Sequence, residues 1–103
     1  MVGARVEGFF AQSAVLRFTF SLAHGMSRAG VWVCITSGVG DGFPDAVTWH
    51  GGRFRLLEIK RPGGSFTDKQ LRFMRSCPGE IVRVDSLEEA LRAHGIQTAR
   101  KEA

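Results

Sequence analysis

The chain has 103 residues, 44% of them hydrophobic and 23% charged, and its 14 Lys and Arg against 10 Asp and Glu give a formal net charge of +4. That length holds one domain and buries only a little over ~60% of the surface exposed by the unfolded chain, which excludes a deep, protein-walled chamber for an organic cofactor. No run approaches the roughly 18 apolar residues of a membrane span, and the basic balance, with a pI of about 9.8, favours polyanionic partners because Lys and Arg displace the counterions condensed on phosphates.

Cys34 and Cys77 are too few for a disulfide framework and lack CxxC spacing. The N-terminus shows no basic-then-apolar arrangement ending in a small-residue cleavage site. Both observations predict reduced thiols in an intracellular, cytoplasmic protein, and leave open whether a host or a virus encodes it.

Val6 to Met26 is strongly apolar, with Phe9, Phe10, Val15, Leu16, Phe18, Phe20 and Leu22. Its length and its Ala and Leu content predict a helix, although Phe18 and Phe20 also alternate as in a strand. Such an all-round apolar helix on a small domain implies a contact with a second copy, a homodimer. After a break at Ser27 to Gly30, Val31 to Ile35 is a β-branched and aromatic run that predicts a strand. Ser37 to Pro44 is glycine-rich and ends in proline, so it is a loop.

Ala46 to His50 and Arg53 to Lys60 flank Gly51-Gly52, the signature of a two-residue hairpin turn. With side chains alternating, Phe54, Leu56, Glu58 and Lys60 share one face of the second strand, and Arg53, Arg55, Leu57 and Ile59 the other. Arg61-Pro62-Gly63-Gly64 ends it. A helix follows, with Thr67 as N-cap, Gln70 at the third helical position, Phe66 and Leu71 as a hydrophobic staple, and a stop before Pro78-Gly79. Glu80 to Val84 reads as a strand. Ser86 with Glu89 forms a second capping box, opening a helix that ends near Gly95. The prediction is a single α/β domain in the order α-β-β-β-α-β-α, a small mixed sheet flanked by helices, with its core at about residues 6–96 and a flexible tail over 97–103.

The chemistry lies at the open end of the hairpin. Two strands joined by a tight turn return the chain to its start, so Asp45 comes near Glu58 and Lys60. Two carboxylates crowded together are costly unless something positive shares the space. A hard divalent ion, Mg²⁺ or Mn²⁺, is the natural occupant, since it binds through one or two carboxylates plus substrate phosphate and keeps several waters. Lys60 would orient an attacking water and stabilise the anionic transition state. These groups suffice for phosphodiester hydrolysis.

Gly42-Phe43-Pro44-Asp45, Gly51-Gly52, Glu58-Ile59-Lys60, Pro62-Gly63-Gly64, Thr67 and Gln70 occur in that order, and the set resembles the PD-(D/E)XK nuclease superfamily, in particular its VRR-NUC-like branch. The resemblance spans Gly38 to Ile96. It implies a restriction-endonuclease-like core acting on DNA, with branched or Holliday-type junctions as substrates. It makes Asp45 and Glu58 metal ligands, adds the backbone carbonyl of Ile59, makes Lys60 catalytic, and gives Gln70 a supporting or substrate-contacting role. An acidic residue from the first helix usually completes such sites. Gln12-Ser13-Ala14 stands there instead, leaving Glu7 or Asp41 as substitutes.

Each residue also has a plainer reading. Asp45 is a turn residue, Glu58 and Lys60 a paired solvated face, and Gln70 a helix cap. Against these, Phe54 and Leu56 share the Glu58 face, which predicts a face buried at its start and charged at its end. Arg53, Arg55, Arg61, Lys69, Arg72 and Arg75 are expected around the centre, gripping phosphates or simply solubilising the surface. His24, His50 and His94 lack ligand spacing. Trp32 and Trp49 are expected in the core or sheet rather than as base-stacking platforms. The two functional readings are a metal-dependent endonuclease and a catalytically degenerate module that binds nucleic acid without cutting.

Overall fold

A computed structural model describes residues 14–98. It contains α1 (Ala14–Arg28), β1 (Trp32–Ile35), β2 (Ala46–His50), β3 (Arg53–Ile59), α2 (Asp68–Ser76), β4 (Ile81–Val84) and α3 (Leu87–Ala93), the predicted order. The expectations placed on residues 1–13, Glu7 among them, and on 99–103 lie outside the described residues.

The four strands form one mixed sheet in the order β1-β2-β3-β4. β1 to β3 pair antiparallel, and β4 joins β3 in parallel. Gly51 and Gly52 both have positive φ, 62° and 81°. Two such residues make the type I′ turn whose twist matches that of paired strands, and side chains with a Cβ resist it. This turn sets the register that pairs Ala46 with Leu57 and His50 with Arg53.

One face of the sheet carries the core. Val33, Ala46, Leu57, Ile59 and Val84 pack with Leu22, Ala23 and Met26 of α1 and Ala90 of α3. Alternation puts Leu57 and Ile59 on this face and Glu58 on the other, as the period of two requires. Both α1 and α3 end in Schellman motifs. The Val31 N–H donates to the Met26 carbonyl and that of Gly30 to Ser27, while those of Ile96 and Gly95 donate to Leu91 and Arg92. Gly30 and Gly95 supply the positive φ this closure needs.

α1 is amphipathic within the described residues, contrary to an all-round apolar helix. Phe20, Leu22, Ala23 and Met26 are buried, while Arg17, Ser21, His24 and Arg28 face solvent. The buried apolar residues serve the chain's own core, while Val15 is 58% exposed. The second capping box is also half formed. Ser86 Oγ accepts from the Glu89 N–H, but Glu89 Oε1 accepts from the Asp85 N–H, one residue before the cap. No described helix is long and apolar enough to cross a membrane.

Candidate active site

Asp45 ends the loop before β2, where its backbone already joins the sheet. Its N–H donates to the Leu57 carbonyl at 2.9 Å, and its carbonyl accepts from the Thr36 N–H at 2.7 Å. The side chain reaches across to β3, where Oδ2 accepts from the Ile59 N–H at 2.9 Å. The donor is the N–H of the residue between Glu58 and Lys60. Ser37 Oγ adds a long contact to Oδ1 at 3.4 Å.

Glu58, only 2% exposed, immediately precedes the Ile59 whose N–H holds this carboxylate, so the charge of Asp45 acts on it. Its Oε2 accepts from Gln70 Nε2 at 2.6 Å and pairs with Lys60 Nζ at 3.3 Å. Gln70 Oε1 in turn accepts from Lys60 Nζ and from the Thr67 N–H, both at 2.8 Å. The Thr67 hydroxyl completes the capping box by accepting from the Gln70 N–H. Gln70 therefore caps α2 through its carbonyl oxygen and also bonds both Glu58 and Lys60.

Burial and the charge of Asp45 push the Glu58 carboxyl up to about 7, against the opposing pull of Lys60. One ammonium does not compensate two adjacent carboxylates in a water-poor position. The site lacks positive charge, and a proton near neutral pH makes up part of the deficit.

α2 is held over this end of the sheet by a close approach of backbone. A Cβ on Gly42 would run into the Lys69 carbonyl, and Gly42 has φ of 81°. Only glycine suits both demands. Phe43 packs edge-on against Phe73 of α2, with ring centroids 5.3 Å apart. The glycine before Pro44-Asp45 thus seats the helix that delivers Gln70.

The Glu58 face runs opposite to expectation. Phe54 is 62% exposed and Glu58 is buried, because the Gly42 loop and α2 cover the charged end and nothing described covers the apolar end. The basic residues are also more scattered than predicted. Arg53 and Arg55 begin β3, beside the hairpin turn and on the face opposite Glu58, and Arg55 Nη1 donates to the His50 carbonyl. Arg61 is exposed next to the site, with its guanidinium 5.7 Å from the Phe18 ring centroid. Lys69, Arg72 and Arg75 are exposed on α2, whereas Gln70, Phe73 and Met74 are partly buried. Asp41 is exposed in the loop.

Compared with known protein families, curated proteins and solved structures, the chain matches none. The reading of the site therefore rests on its geometry.

Two contributors escaped the sequence reading. Ser37 borders Asp45, and only its place in the glycine-rich loop hinted at this. Arg83, paired in register with Glu58, donates to the Gly64 carbonyl at 2.9 Å and to Asp85 at 3.2 Å, holding the turn after Lys60. Alternation along β4 gave its face but not its partners.

The donor set is oxygen-rich and anionic. Among the described residues the donors here are two carboxylates, of Asp45 and Glu58, and neighbouring peptide carbonyls. Oxygen donors of this kind suit a hard cation that keeps much of its water, of the Mg²⁺ type.

Proposed function

We propose that the chain is a metal-dependent endonuclease that hydrolyses phosphodiester bonds in DNA, built on a restriction-endonuclease-like core of the PD-(D/E)XK kind. The observation that carries the reading is that the Asp45 carboxylate is held on the N–H of Ile59, the residue between Glu58 and Lys60, while buried Glu58 pairs with Lys60 at 3.3 Å. Asp45, Glu58 and the Ile59 carbonyl would hold the ion. A bound Mg²⁺ or Mn²⁺ lowers the pKa of a coordinated water and neutralises charge developing on phosphorus.

The chain's own groups supply the rest. The Ile59 N–H fixes the Asp45 carboxylate, and Gln70 fixes the Glu58 carboxylate and the Lys60 ammonium in one orientation. Lys60 brings a positive charge to the scissile phosphate and stabilises the charge that grows in the transition state. Water attacks phosphorus, the bond to the leaving sugar oxygen breaks, and that oxygen takes up a proton. Arg61, next in sequence to Lys60 and exposed, is a candidate for a phosphate contact.

One observation favours the second reading, a nuclease-fold module that binds without cutting: the described part of α1 contains no Asp or Glu. Cleavage of plasmid and branched DNA with Mg²⁺ or Mn²⁺ separates the two. Cutting by the wild type and its loss in Asp45→Asn support the enzyme. Binding without cutting at any metal concentration supports the module.

A further inference from the structure

The hairpin end of the sheet carries features the proposed site does not use. Trp32, Trp49 and Phe54 stand side by side on three adjacent strands, as register partners on the same face as Glu58. They are 36%, 42% and 62% exposed. Trp49 and Phe54 meet edge to face, with centroids 4.6 Å apart and planes at 64°. Phe54 also lines a cleft of about 560 Å³ with Arg53, Arg55, Leu56 and Glu80. Among the described residues neither arginine has an ion-pair partner.

We infer that this end of the sheet binds unpaired nucleic acid, with bases stacked on Trp32, Trp49 and Phe54 on one face and the backbone passing over the edge of β3 that β4 leaves unpaired before Leu56, into the cleft that Arg53 and Arg55 line from the other face. The inference rests on the nuclease reading for the use of that strand, but its own evidence is separate. Rings of this kind bind bases without sequence preference, because every base presents a π-face, and a neighbouring cationic groove follows the phosphates. Burial and the Arg53 charge both push the Arg55 guanidinium down, so an anion between the two would relieve a repulsion. Glu80 is the one carboxylate lining the cleft.

Size favours this occupant over a second copy. Rings of roughly 150–250 Å² each, exposed to those extents, offer on the order of 300 Å², well under the ~800 Å² per partner of a specific protein–protein interface. The platform also lies in line with the proposed centre. Phe54 and Glu58 are four residues apart on one strand face, or about 13 Å, within the ~4–16 nucleotides a single-strand-binding domain spans. An unpaired arm held on the rings would lead its duplex junction toward Glu58 and Lys60.

The test uses the full chain in EDTA, so that no strand is cut. Oligothymidylate of about ten nucleotides is titrated while tryptophan emission is followed. Trp32 and Trp49 are the only two tryptophans, so Trp32→Phe and Trp49→Phe each leave one reporter and keep a stacking ring. Saturable quenching in both, with affinity 5- to 50-fold weaker in Trp49→Ala and Phe54→Ala and near wild type in Trp49→Phe, is the expected result. Thermal melts establish that each variant is folded. Absent quenching, equal quenching by a blunt duplex, or a concentration-dependent dimer abolished by Trp49→Ala would overturn the inference. Failure of the nuclease reading looks different: oligonucleotide quenches the tryptophans, but no metal yields Asp45-dependent cleavage. Conversely, Asp45-dependent cutting with silent tryptophans leaves the nuclease reading intact and removes this one.

Discussion

Gln70 Nε2 lies 2.6 Å from Glu58 Oε2, and the same amide's oxygen caps the helix through the Thr67 N–H. Helix position and site geometry therefore depend on one side chain. Gln70→Ala removes half of a capping box, a loss of about 1 kcal/mol, and also frees Glu58 and Lys60. Thr67→Ala removes the other half of the box and leaves Glu58 and Lys60 their partner. Equal losses of melting temperature in the two variants, with cleavage reduced at least 10-fold further in Gln70→Ala, are expected. Equal cleavage would reduce Gln70 to a cap.

Lys60 and Asp45 separate binding from cutting. Lys60→Ala removes one of 14 basic residues and should leave DNA affinity within a few-fold in a filter-binding assay, while cleavage falls by orders of magnitude, since one preorganised transition-state contact is worth ~10²–10³-fold in rate. Asp45→Asn keeps an oxygen to accept from Ile59, so its fold should survive while cleavage is lost.

Glu58 predicts a pH dependence in two measurements. Its carboxyl ionises at about 7 when folded, against an ordinary value of 4.5. The folded state thus holds this proton more tightly than the unfolded state does. Its stabilising contribution is complete below 4.5 and is lost as the pH rises through about 7. Urea midpoints of the metal-free protein should fall across that window by on the order of 1–3 kcal/mol in stability, and Glu58→Gln should flatten the fall. Metal binding requires the ionised carboxylate, so Mn²⁺ affinity should climb with pH up to about 7 and then level off. A pH-independent affinity would contradict the assigned role.

His94 acts on the acid side. Its Nδ1–H donates to the Ala90 carbonyl at 2.7 Å, which leaves Nε2 to accept from the Thr48 hydroxyl at 2.7 Å. Burial lowers its pKa below the ordinary 6.5. The neutral ring's contribution is present above 6.5 and is lost as the pH falls through the depressed folded value, so acid melts should show a loss separate from that of Glu58. Thr48→Val leaves a buried acceptor unpaired and should cost about 1–3 kcal/mol at pH 8.

Gly42→Ala should damage the site from a distance. The substitution forces both positive φ and a collision with the Lys69 carbonyl, at ~1–2 kcal/mol for the backbone and a further ~1–3 kcal/mol for the overlap. Gly51→Ala, with positive φ but open space, should show the first loss alone and keep its cleavage rate.

The element order, the hairpin and the nearness of Asp45 to Glu58 and Lys60 were legible in the sequence, because each follows from short-range physics. Two adjacent glycines allow a type I′ turn, alternation assigns each side chain a face, and Thr67 with Gln70 opens a helix wherever they stand. The tertiary structure decided what covers each face. α2 folds back over the Glu58 end, so the carboxylate is buried and its proton tightly held, while Phe54, Trp49 and Trp32 are left open. Arg53 and Arg55 were placed near the centre from their nearness in sequence, yet an extended strand carries them to its far end. Burial depends on which remote segment arrives, and that arrival is fixed by packing such as Gly42 against Lys69, which no local pattern encodes.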